Sequence, residues 1–450
     1  MIVSSRLRRL LLSNPFRLLP VSFAAVIGIG AILLLLPQAT ASGRKTTVLD
    51  ALFTATSAVC VTGLSVVDTA THFTGFGKAI ILFLIQIGGL GIVTVVSIGI
   101  LLVADRIGLS HTRILAADLR TDSYSSVSKL VRNIVLTTLA FEALFTVMLA
   151  ARFFFAYDYG FQTAAVHGVF HSVSAWNNAG FALYTDSFIG FANDWFLSIA
   201  ICLAVIFGGI GFPVLQALAV HKFKWRMWPM HSKLMISATA VLLVLGTALF
   251  LAFEWSNPRT LGALPETARL HSAFFHSVQT RTAGFNSVDT ASLNEESLLV
   301  STILMFIGGG SASTAGGIKV TTFALLAFVI WAEIRGDRDV NMFGRRISED
   351  SQRQALTVAL VGVGVLAAAV LALMTLGETG LTAAAFEAVS ALSTVGLSTG
   401  VTTAEGSPTR IILIMLMFIG RLGPVVLVAA IVLRTRPNLY RFPAESPLIG

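Results

Sequence analysis

Apolar stretches long enough to cross a membrane recur along the whole chain and fall into two alternating sets. A transmembrane helix needs about 20 consecutive, mostly apolar residues. The first set lies near residues 18–38, 131–151, 234–253 and 355–376. The second set lies near residues 79–103, 195–220, 298–331 and 410–433. The pattern predicts an integral membrane protein with eight transmembrane helices and no separate soluble domain.

Composition agrees with this prediction. Of the 450 residues, 55% are hydrophobic and only 12% are charged, whereas a soluble domain carries about 25% charged residues. The first apolar run follows a basic start and precedes Ala39-Thr-Ala41, as in a signal peptide. Because the run is longer than the roughly 7–15 residues of a signal core, we expect an uncleaved first span.

The distribution of charge predicts the topology. The net charge is +8, but 21 of the 31 Lys and Arg residues lie on one side of the spans. The positive-inside rule therefore places both termini in the cytoplasm and argues against nucleic acid as a partner. Three basic residues remain at membrane depth, Arg281, Lys319 and Arg421. Cys60 and Cys202 offer neither a disulfide framework nor a metal-ligand spacing.

Between the two spans of each pair lies a shorter segment that ends in glycine and a bulky apolar residue. The glycines are separated by 117, 104 and 112 residues, and each has a phenylalanine ten residues before it. They are Gly63, Gly180, Gly284 and Gly396. A segment of about 12–14 residues cannot cross a bilayer, and irregular backbone at membrane depth must be buried or line a water-filled path. We therefore expect four short helices that dip into the membrane and return as extended chain.

The fourth of these segments, STVGLSTG at 393–400, contains the Thr-Val-Gly that begins the filter loop of potassium channels. Carbonyls that point at an ion need alternating backbone conformations, and glycine adopts a positive φ without strain. The side chains before the glycines differ, so we expect backbone carbonyls to bind the ion. The alternative is four unrelated glycine turns. The predicted ion-binding residues are Val61, Thr62, Gly63, Asn178, Ala179, Gly180, Thr282, Ala283, Gly284, Thr394, Val395 and Gly396.

A second motif recurs in the middle of the later spans. It reads IGGLG at 87–91, FGGIG at 207–211, IGGGS at 307–311 and IGRLG at 419–423. Small residues let helices approach closely, which predicts helix packing for the first two. The third continues into a glycine-rich stretch that cannot remain helical, so we predict a broken helix and a gate, with a static kink as the alternative. The predicted gate loop comprises Gly308, Gly309, Gly310, Ser311, Ala312, Ser313, Thr314, Ala315, Gly316 and Gly317.

Arg421 replaces a glycine in the fourth of these motifs. An arginine inside the membrane is costly and faces the protein interior or water. We predict that backbone carbonyls of residues 308–317 are its partners and that its charge, just inside the filter, repels cations and slows their flux. A purely structural arginine is the alternative.

Other polar residues at membrane depth give weaker indications. His167 and His171 are spaced as a metal pair but lack a third ligand, so a structural role is favoured. Glu387 is expected to form a hydrogen bond at the interface rather than to attract cations. Arg281 is expected to brace the third filter loop. Asp68 and Asp289 each follow a filter glycine by five residues and are expected to tie the outgoing chain to its neighbours.

The four filter segments, the GGGSASTAGG stretch and Arg421 together resemble the Trk/Ktr/HKT superfamily of potassium transporters, closest to the Ktr-type membrane subunit of bacteria. The resemblance covers residues 14–436. It implies an all-α membrane protein of four fused span–pore helix–span repeats, arranged with pseudo-fourfold symmetry around one pore. The repeats are 14–110, 125–222, 231–336 and 351–436, followed by a cytoplasmic tail at 437–450.

The resemblance also implies potassium uptake across the bacterial inner membrane by a protein that is not an enzyme. No cofactor is expected on the chain, potassium is the transported ion, and sodium activates some members. The implied assembly is a homodimer on a cytoplasmic ring of nucleotide-binding regulatory subunits, with residues 105–132 and 335–353 as candidate docking loops. Glycine at all four filter positions favours potassium over sodium, although Asn178-Ala179 departs from the Thr-Val of the fourth repeat.

Two other functions agree less well with the sequence. An alternating-access symporter would show inverted repeats with paired broken helices, whereas these repeats run parallel and only one carries a long glycine-rich break. An intramembrane enzyme would need a convergent nucleophile or metal set, and the sequence offers none.

Overall fold

The structure is a computed structural model and describes residues 15–91, 127–222, 224–377 and 379–423. These residues are predominantly helical. Two short strands among them, β1 (Asn341–Met342) and β2 (Arg345–Arg346), form a small antiparallel hairpin. The prediction of an all-α protein is confirmed for this part of the chain. The tail at 437–450 and most of the first candidate docking loop lie outside the described residues.

We call the four predicted repeats the first to fourth copies. Each begins with a long helix, continues with a short one and ends in a further apolar segment. The first copy contains α1 (Pro15–Leu34), α2 (Val48–Val59) and α3 (Gly75–Leu90). The second contains α4 (Val127–Ala156), α5 (Phe161–Trp176), α6 (Trp195–Gly209) and α7 (Phe212–His221).

The later copies follow the same order. The third contains α8 (Met230–Glu254), α9 (Glu266–Gln279), α10 (Glu295–Phe306) and α11 (Val320–Arg335). The fourth contains α12 (Glu349–Leu376), α13 (Leu381–Leu392) and α14 (Ser407–Leu422). The break between α10 and α11 confirms the predicted broken helix.

Three of the described helices, α4, α8 and α12, are each long and apolar enough to cross a membrane. The span predicted near 195–220 is bent in the structure, because α6 and α7 meet at an angle of 97°. Gly211, between them, has a φ of 92°, which ends the first helix. The count of eight spans stays a prediction.

At least half of the residues in each of the short helices α2, α5, α9 and α13 are buried. In α2, a capping box starts the helix: Thr47 Oγ1 accepts from the Asp50 N–H, and the Asp50 carboxylate accepts from the Thr47 N–H, each at 3.1 Å. The recurring phenylalanine is buried in three copies, at Phe53, Phe170 and Phe386. A buried apolar anchor therefore explains the phenylalanine ten positions before the glycine in three copies, whereas Phe274 of the third copy is only partly buried.

The copies pack in a closed order. The helix that follows the short helix in each copy contacts the short helix of the next copy, in the pairs α3 with α5, α6 with α9, α10 with α13, and α14 with α2. An ion pair of 3.0 Å between Arg410 and Asp50 joins the fourth copy to the first. The two largest hydrophobic clusters each contain side chains from neighbouring copies, so apolar packing joins the copies as well as the helices within each copy.

Candidate functional site

The four glycine-containing turns share one backbone conformation although their side chains differ. The residue two positions before each glycine has a positive φ: 56° at Val61, 58° at Asn178, 70° at Thr282 and 51° at Thr394. Each glycine also has a positive φ, of 90°, 69°, 76° and 98° in chain order. A positive φ is rare for β-branched residues such as valine and threonine. The positive φ that we expected at the glycines is therefore present in all four copies, and the residue two positions earlier, which was not predicted to do so, shares it.

The four glycines also meet one another. A Cβ added to Gly63 would lie 2.5 Å from the Ala179 carbonyl oxygen and 3.0 Å from Gly180 Cα. The same contact recurs from Gly180 to Ala283 and Gly284, and from Gly284 to Val395 and Gly396. A Cβ on Gly396 would meet Thr62 and Gly63 of the first copy, so the contacts close into a ring. We call these four turns the glycine ring.

Polar side chains of the short helices hold the glycine ring from outside. Ser57 Oγ accepts from the Gly63 N–H, and Ser390 Oγ accepts from the Gly396 N–H, both at 3.1 Å. Ser174 Oγ donates to the Phe181 carbonyl at 2.8 Å. In the third copy, Gln279 Oε1 accepts from the Phe285 N–H at 3.1 Å. These four side chains were not among the predicted site residues, although a serine stands six positions before three of the four glycines.

Residues 308–317, in the break between α10 and α11, form a loop whose two ends are hydrogen-bonded to each other. Ile307 and Ile318 form a parallel bridge, and the Gly308 N–H donates to the Ile318 carbonyl at 2.9 Å. The loop also rests on the end of α6, where the Gly310 N–H donates to the Gly209 carbonyl at 2.8 Å. We call this segment the inner loop.

The inner loop contacts the glycine ring directly. Thr314 Oγ1 lies 3.2 Å from the Trp176 carbonyl and 3.3 Å from Asn178 Oδ1, so its hydroxyl reaches the second turn. On the opposite side, a Cβ on Gly316 would collide with Thr394 of the fourth turn. Asn178 Nδ2 in turn lies 3.4 Å from Thr282 Oγ1. The inner loop is therefore packed against two of the four turns.

All three basic residues at membrane depth donate to carbonyls of the inner loop. Arg421, in the last turn of α14, donates to the Thr314 carbonyl and also to the Gly88 carbonyl. Lys319 Nζ donates to the Ala315 carbonyl at 2.6 Å, and Arg281 Nη2 to the Gly308 carbonyl at 3.3 Å. The prediction that Arg421 binds carbonyls of residues 308–317 is confirmed. Arg281 was expected to brace its own turn, but its guanidinium extends to the inner loop instead.

The remaining candidates form structural hydrogen bonds. His167 Nδ1 lies 2.9 Å from the Tyr184 hydroxyl, and His171 Nε2 accepts from the Leu183 N–H at 3.1 Å. Among the described residues, no three potential metal ligands converge. Glu387 is fully buried and accepts from the residue 398–402 stretch, which includes Thr402 Oγ1 at 2.8 Å. Its carboxylate therefore fixes the chain that leaves the fourth turn.

Asp68 and Asp289 each cap a short helical turn in the chain that follows a glycine of the ring. Asp68 accepts from Thr185 Oγ1 of the second copy at 2.9 Å, as expected for a tie between neighbours. Among the described residues, Asp289 bonds only within its own turn, to the Ala291 N–H at 3.1 Å and Ser292 Oγ at 2.6 Å, so the expected tie to a neighbouring copy is not seen there. Partial burial on its own would raise the pKa of Asp68, but hydrogen bonds from two threonine hydroxyls and one backbone N–H outweigh it and lower the pKa below its usual 3.8.

Comparison with known proteins places this geometry in a family. A model of TrkH cation transport proteins matches residues 4–439. The chain is similar to the Ktr system potassium uptake protein B of Vibrio alginolyticus, with 39% identity over 96% of this chain and 94% of the relative. The protein of the same name from Bacillus subtilis is 36% identical over 97% of each chain.

Two further proteins extend the comparison. The potassium/sodium uptake protein NtpJ of Enterococcus hirae is 36% identical over the full length of both chains. The crystal structure of the potassium transporter TrkH from Vibrio parahaemolyticus superimposes with a TM-score of 0.71 and 19% identity, over 95% of this chain and 86% of that one. At this identity the match supports the fold alone. With the match of the family model over nearly the whole chain, these findings show that the protein belongs to the TrkH family of cation transport proteins.

Proposed function

We propose that this protein takes up potassium across the bacterial inner membrane through a single pore on the axis of the glycine ring. The observation that carries the proposal is the alternating backbone shared by four turns that meet at one centre. Rings of backbone carbonyls replace the hydration shell of potassium in selective pores. The Ktr and TrkH names of the relatives support potassium as the ion, and the name of NtpJ adds sodium as a second ion to test.

In this proposal the twelve residues 61–63, 178–180, 282–284 and 394–396 form the selectivity filter. Their side chains are buried, and the common feature is the backbone, so the carbonyls bind the ion. The four copies are then pseudo-fourfold repeats of eight spans, with both termini in the cytoplasm. Transport is passive: an inward monovalent cation gains about 2.3 kcal/mol per 100 mV, and the chain needs no enzymatic step or cofactor.

The inner loop and Arg421 form the gate in this proposal. The loop packs against the second and fourth turns, and Arg421 holds it by donating to the Thr314 carbonyl. A hydrogen bond from a charged donor contributes about 1.5–3 kcal/mol, which is enough to keep one conformation dominant. Opening then requires these bonds to break and the glycine-rich segment to withdraw toward the cytoplasm.

Control of the gate is assigned to partners. The sequence has no phosphate-binding loop of its own, so regulation comes from a cytoplasmic ring of nucleotide-binding subunits docked on a homodimer. The hairpin of β1 and β2 is the candidate docking surface among the described residues. It is anchored by the buried side chains of Val340, Met342 and Ile347 and exposes Arg345, Arg346 and Phe343.

An alternating-access symporter is the second candidate, and one observation favours it. The 97° bend between α6 and α7 gives the second copy a broken helix as well as the third, and such carriers use paired broken helices. Uptake of potassium into proteoliposomes without sodium and without a proton gradient separates the two. A pore continues to conduct under these conditions, whereas a symporter stops.

The main test is potassium uptake in a host that lacks its own potassium transporters. Gly284→Ser is expected to lose the preference for potassium over sodium, because the added side chain collides with the fourth turn. Gly43→Ser is the matched control, since Gly43 has a similar φ of 81° and open space around it. Shortening the inner loop is expected to raise the leak. If both variants transport like the wild type, the filter and gate are wrongly assigned.

A further inference from the structure

A small cavity lies behind the third turn, at a junction of three parts of the site. It has a volume of about 20 Å³ and touches the pore helix α9, the helices α6 and α8, and the inner loop. Apolar side chains form most of its wall, including Val205, Leu243 and Val278. The polar side chains in the wall are Asn178, Thr239 and Arg281. A water molecule needs roughly 10–15 Å³, so there is room for one small ligand.

Two buried polar atoms at this cavity lack a protein partner. Arg281 is 93% buried, and its Nη1 has no hydrogen-bond partner among the described residues, although Nη2 donates to the Gly308 carbonyl. Thr239 Oγ1, on α8, is likewise buried without a partner in this part of the chain. A buried guanidinium group is costly unless its hydrogen bonds are completed. No described carboxylate forms an ion pair with Arg281.

We propose that this cavity is a binding site for one small hydrogen-bond acceptor, a water molecule or a halide ion, held between Arg281 Nη1 and Thr239 Oγ1. The guanidinium group only donates, whereas the threonine hydroxyl can donate or accept. A halide would accept from both groups. A water molecule would accept from Arg281 and donate to Thr239. Either ligand accepts a hydrogen bond from the guanidinium group of Arg281.

The position of the site gives the ligand a structural consequence. Arg281 immediately precedes Thr282, the strained residue of the third turn, and its other nitrogen holds Gly308 at the start of the inner loop. A ligand on Nη1 fixes the remaining side of the guanidinium group. Arg281 is thus a positioning residue that links the third turn to the inner loop, with the ligand as part of the link.

The first test measures whether a substitution at Thr239 raises or lowers the thermal stability of the full-length protein in nanodiscs. Thr239→Val keeps the shape and removes the hydroxyl. If the ligand is present, the midpoint of thermal unfolding falls by about 1–3 °C, because one hydrogen bond is lost. Thr239→Ser keeps the hydroxyl and is the matched control, with a smaller fall expected. A rise in the midpoint for Thr239→Val overturns the proposal, because removing an unpartnered hydroxyl from a dry cavity is stabilising.

The second test uses the wild-type protein and identifies the ligand. Crystals grown in bromide are examined for a peak within hydrogen-bond distance of Arg281 and Thr239. An anomalous bromide signal there supports a halide, and a peak without this signal supports water. A clear map with no peak, or with Arg281 turned to a protein partner, overturns the proposal. Both tests measure binding or stability rather than ion flux, so their outcome is independent of whether the transport proposal is correct.

Discussion

The glycine ring is the same in all four copies, whereas the level below it is not. This lower level consists of the repeated glycine motifs that follow the short helices, together with the inner loop. In the ring, all four copies have the same backbone conformation, and each glycine touches the next copy. Below it, three copies agree and one differs. In the first, second and fourth copies, the first glycine of the repeated motif lies against a carbonyl near the end of a short helix. These pairs are Gly88 with Val59, Gly208 with Trp176, and Gly420 with Leu392.

The third copy breaks this pattern at the equivalent position. A Cβ on Gly308 would collide with Gly316 of its own inner loop rather than with the short helix. The inserted segment has therefore replaced a contact between helices by a contact within a loop. A ring that binds one ion needs equal backbone on every side, but a pore needs only one movable element to close it. This difference supports the proposal that the glycine ring selects the ion and that the inner loop gates the pore.

The sharpest way to break the symmetry of the ring is to add one methyl group to it. Gly396 and Gly400 have φ values of 98° and 97°, but only Gly396 faces another copy. Gly396→Ala is expected to reduce potassium uptake at least about tenfold, since a displaced carbonyl that weakens ion binding by about 1.4 kcal/mol has this effect. Its preference for potassium over sodium should fall as well. Both are measured by ion uptake in cells.

Gly400→Ala is the control for this experiment. It introduces the same backbone strain in open space, so uptake is expected to stay near the wild-type level. Equal loss in the two variants would mean that strain alone, and not contact across the ring, explains the effect. Equal retention would mean that the ring does not bind the transported ion.

The ring could be predicted from the sequence because its physical requirements restrict the residue type. Contact between backbones and a positive φ both demand glycine, and an apolar anchor recurs at a constant distance before it. The positions two before each glycine could not be predicted to share a positive φ. Valine, asparagine and threonine all occur there, and the surrounding contacts force a conformation that these residues avoid by themselves.

The lower level was harder to predict, because the glycine motif of the second copy both allows two helices to pack closely and bends the chain. Gly208 allows close packing against Trp176, as the small-residue pattern indicated. Gly211, three residues later, ends the helix and produces the 97° bend that the apolar run at 195–220 concealed. The break after α10 was predictable because ten residues of glycine, serine, threonine and alanine cannot stay helical. A bend made by a single glycine leaves no such signal.

Removing hydrogen bonds that hold the inner loop tests the gate without changing the glycine ring. Arg421→Met removes the donors to the Thr314 and Gly88 carbonyls. Because each charge-assisted hydrogen bond contributes about 1.5–3 kcal/mol, basal uptake without regulatory partners is expected to rise about tenfold or more. The preference for potassium over sodium should stay unchanged, since the ring is intact. Fluxes of both ions in proteoliposomes measure the two effects together.

Arg421→Lys distinguishes the hydrogen bonds from the charge. Lysine keeps the positive charge but cannot donate in the forked geometry of arginine, so an intermediate rise is expected if the bonds hold the loop closed. Wild-type flux in the lysine variant and high flux in the methionine variant would assign the effect to charge repulsion alone. Lost selectivity in either variant would contradict the separation of the two levels.

The smallest expected effect concerns the outer edge of the ring, where the first and third copies differ. Asp68 reaches Thr185 of the second copy, whereas Asp289, in the part of the chain that the structure describes, bonds only within its own turn. The folded protein lowers the pKa of Asp68 below 3.8. Its carboxylate therefore contributes stability that is fully present above about pH 4 and is lost as the pH falls through the lowered pKa.

Asp68→Asn should lower the midpoint of thermal unfolding by about 1–2 °C at pH 7, as expected for the loss of one or two hydrogen bonds to a partly exposed charge. The difference from the wild type should shrink as the pH is lowered below about 4, because protonation removes the same charge from the wild type. Asp289→Asn is the control for the shared role of starting a short turn, since asparagine also caps helices well. If the two variants have the same pH dependence, the bond to Thr185 adds nothing, and the outer edge joins the copies through apolar packing alone.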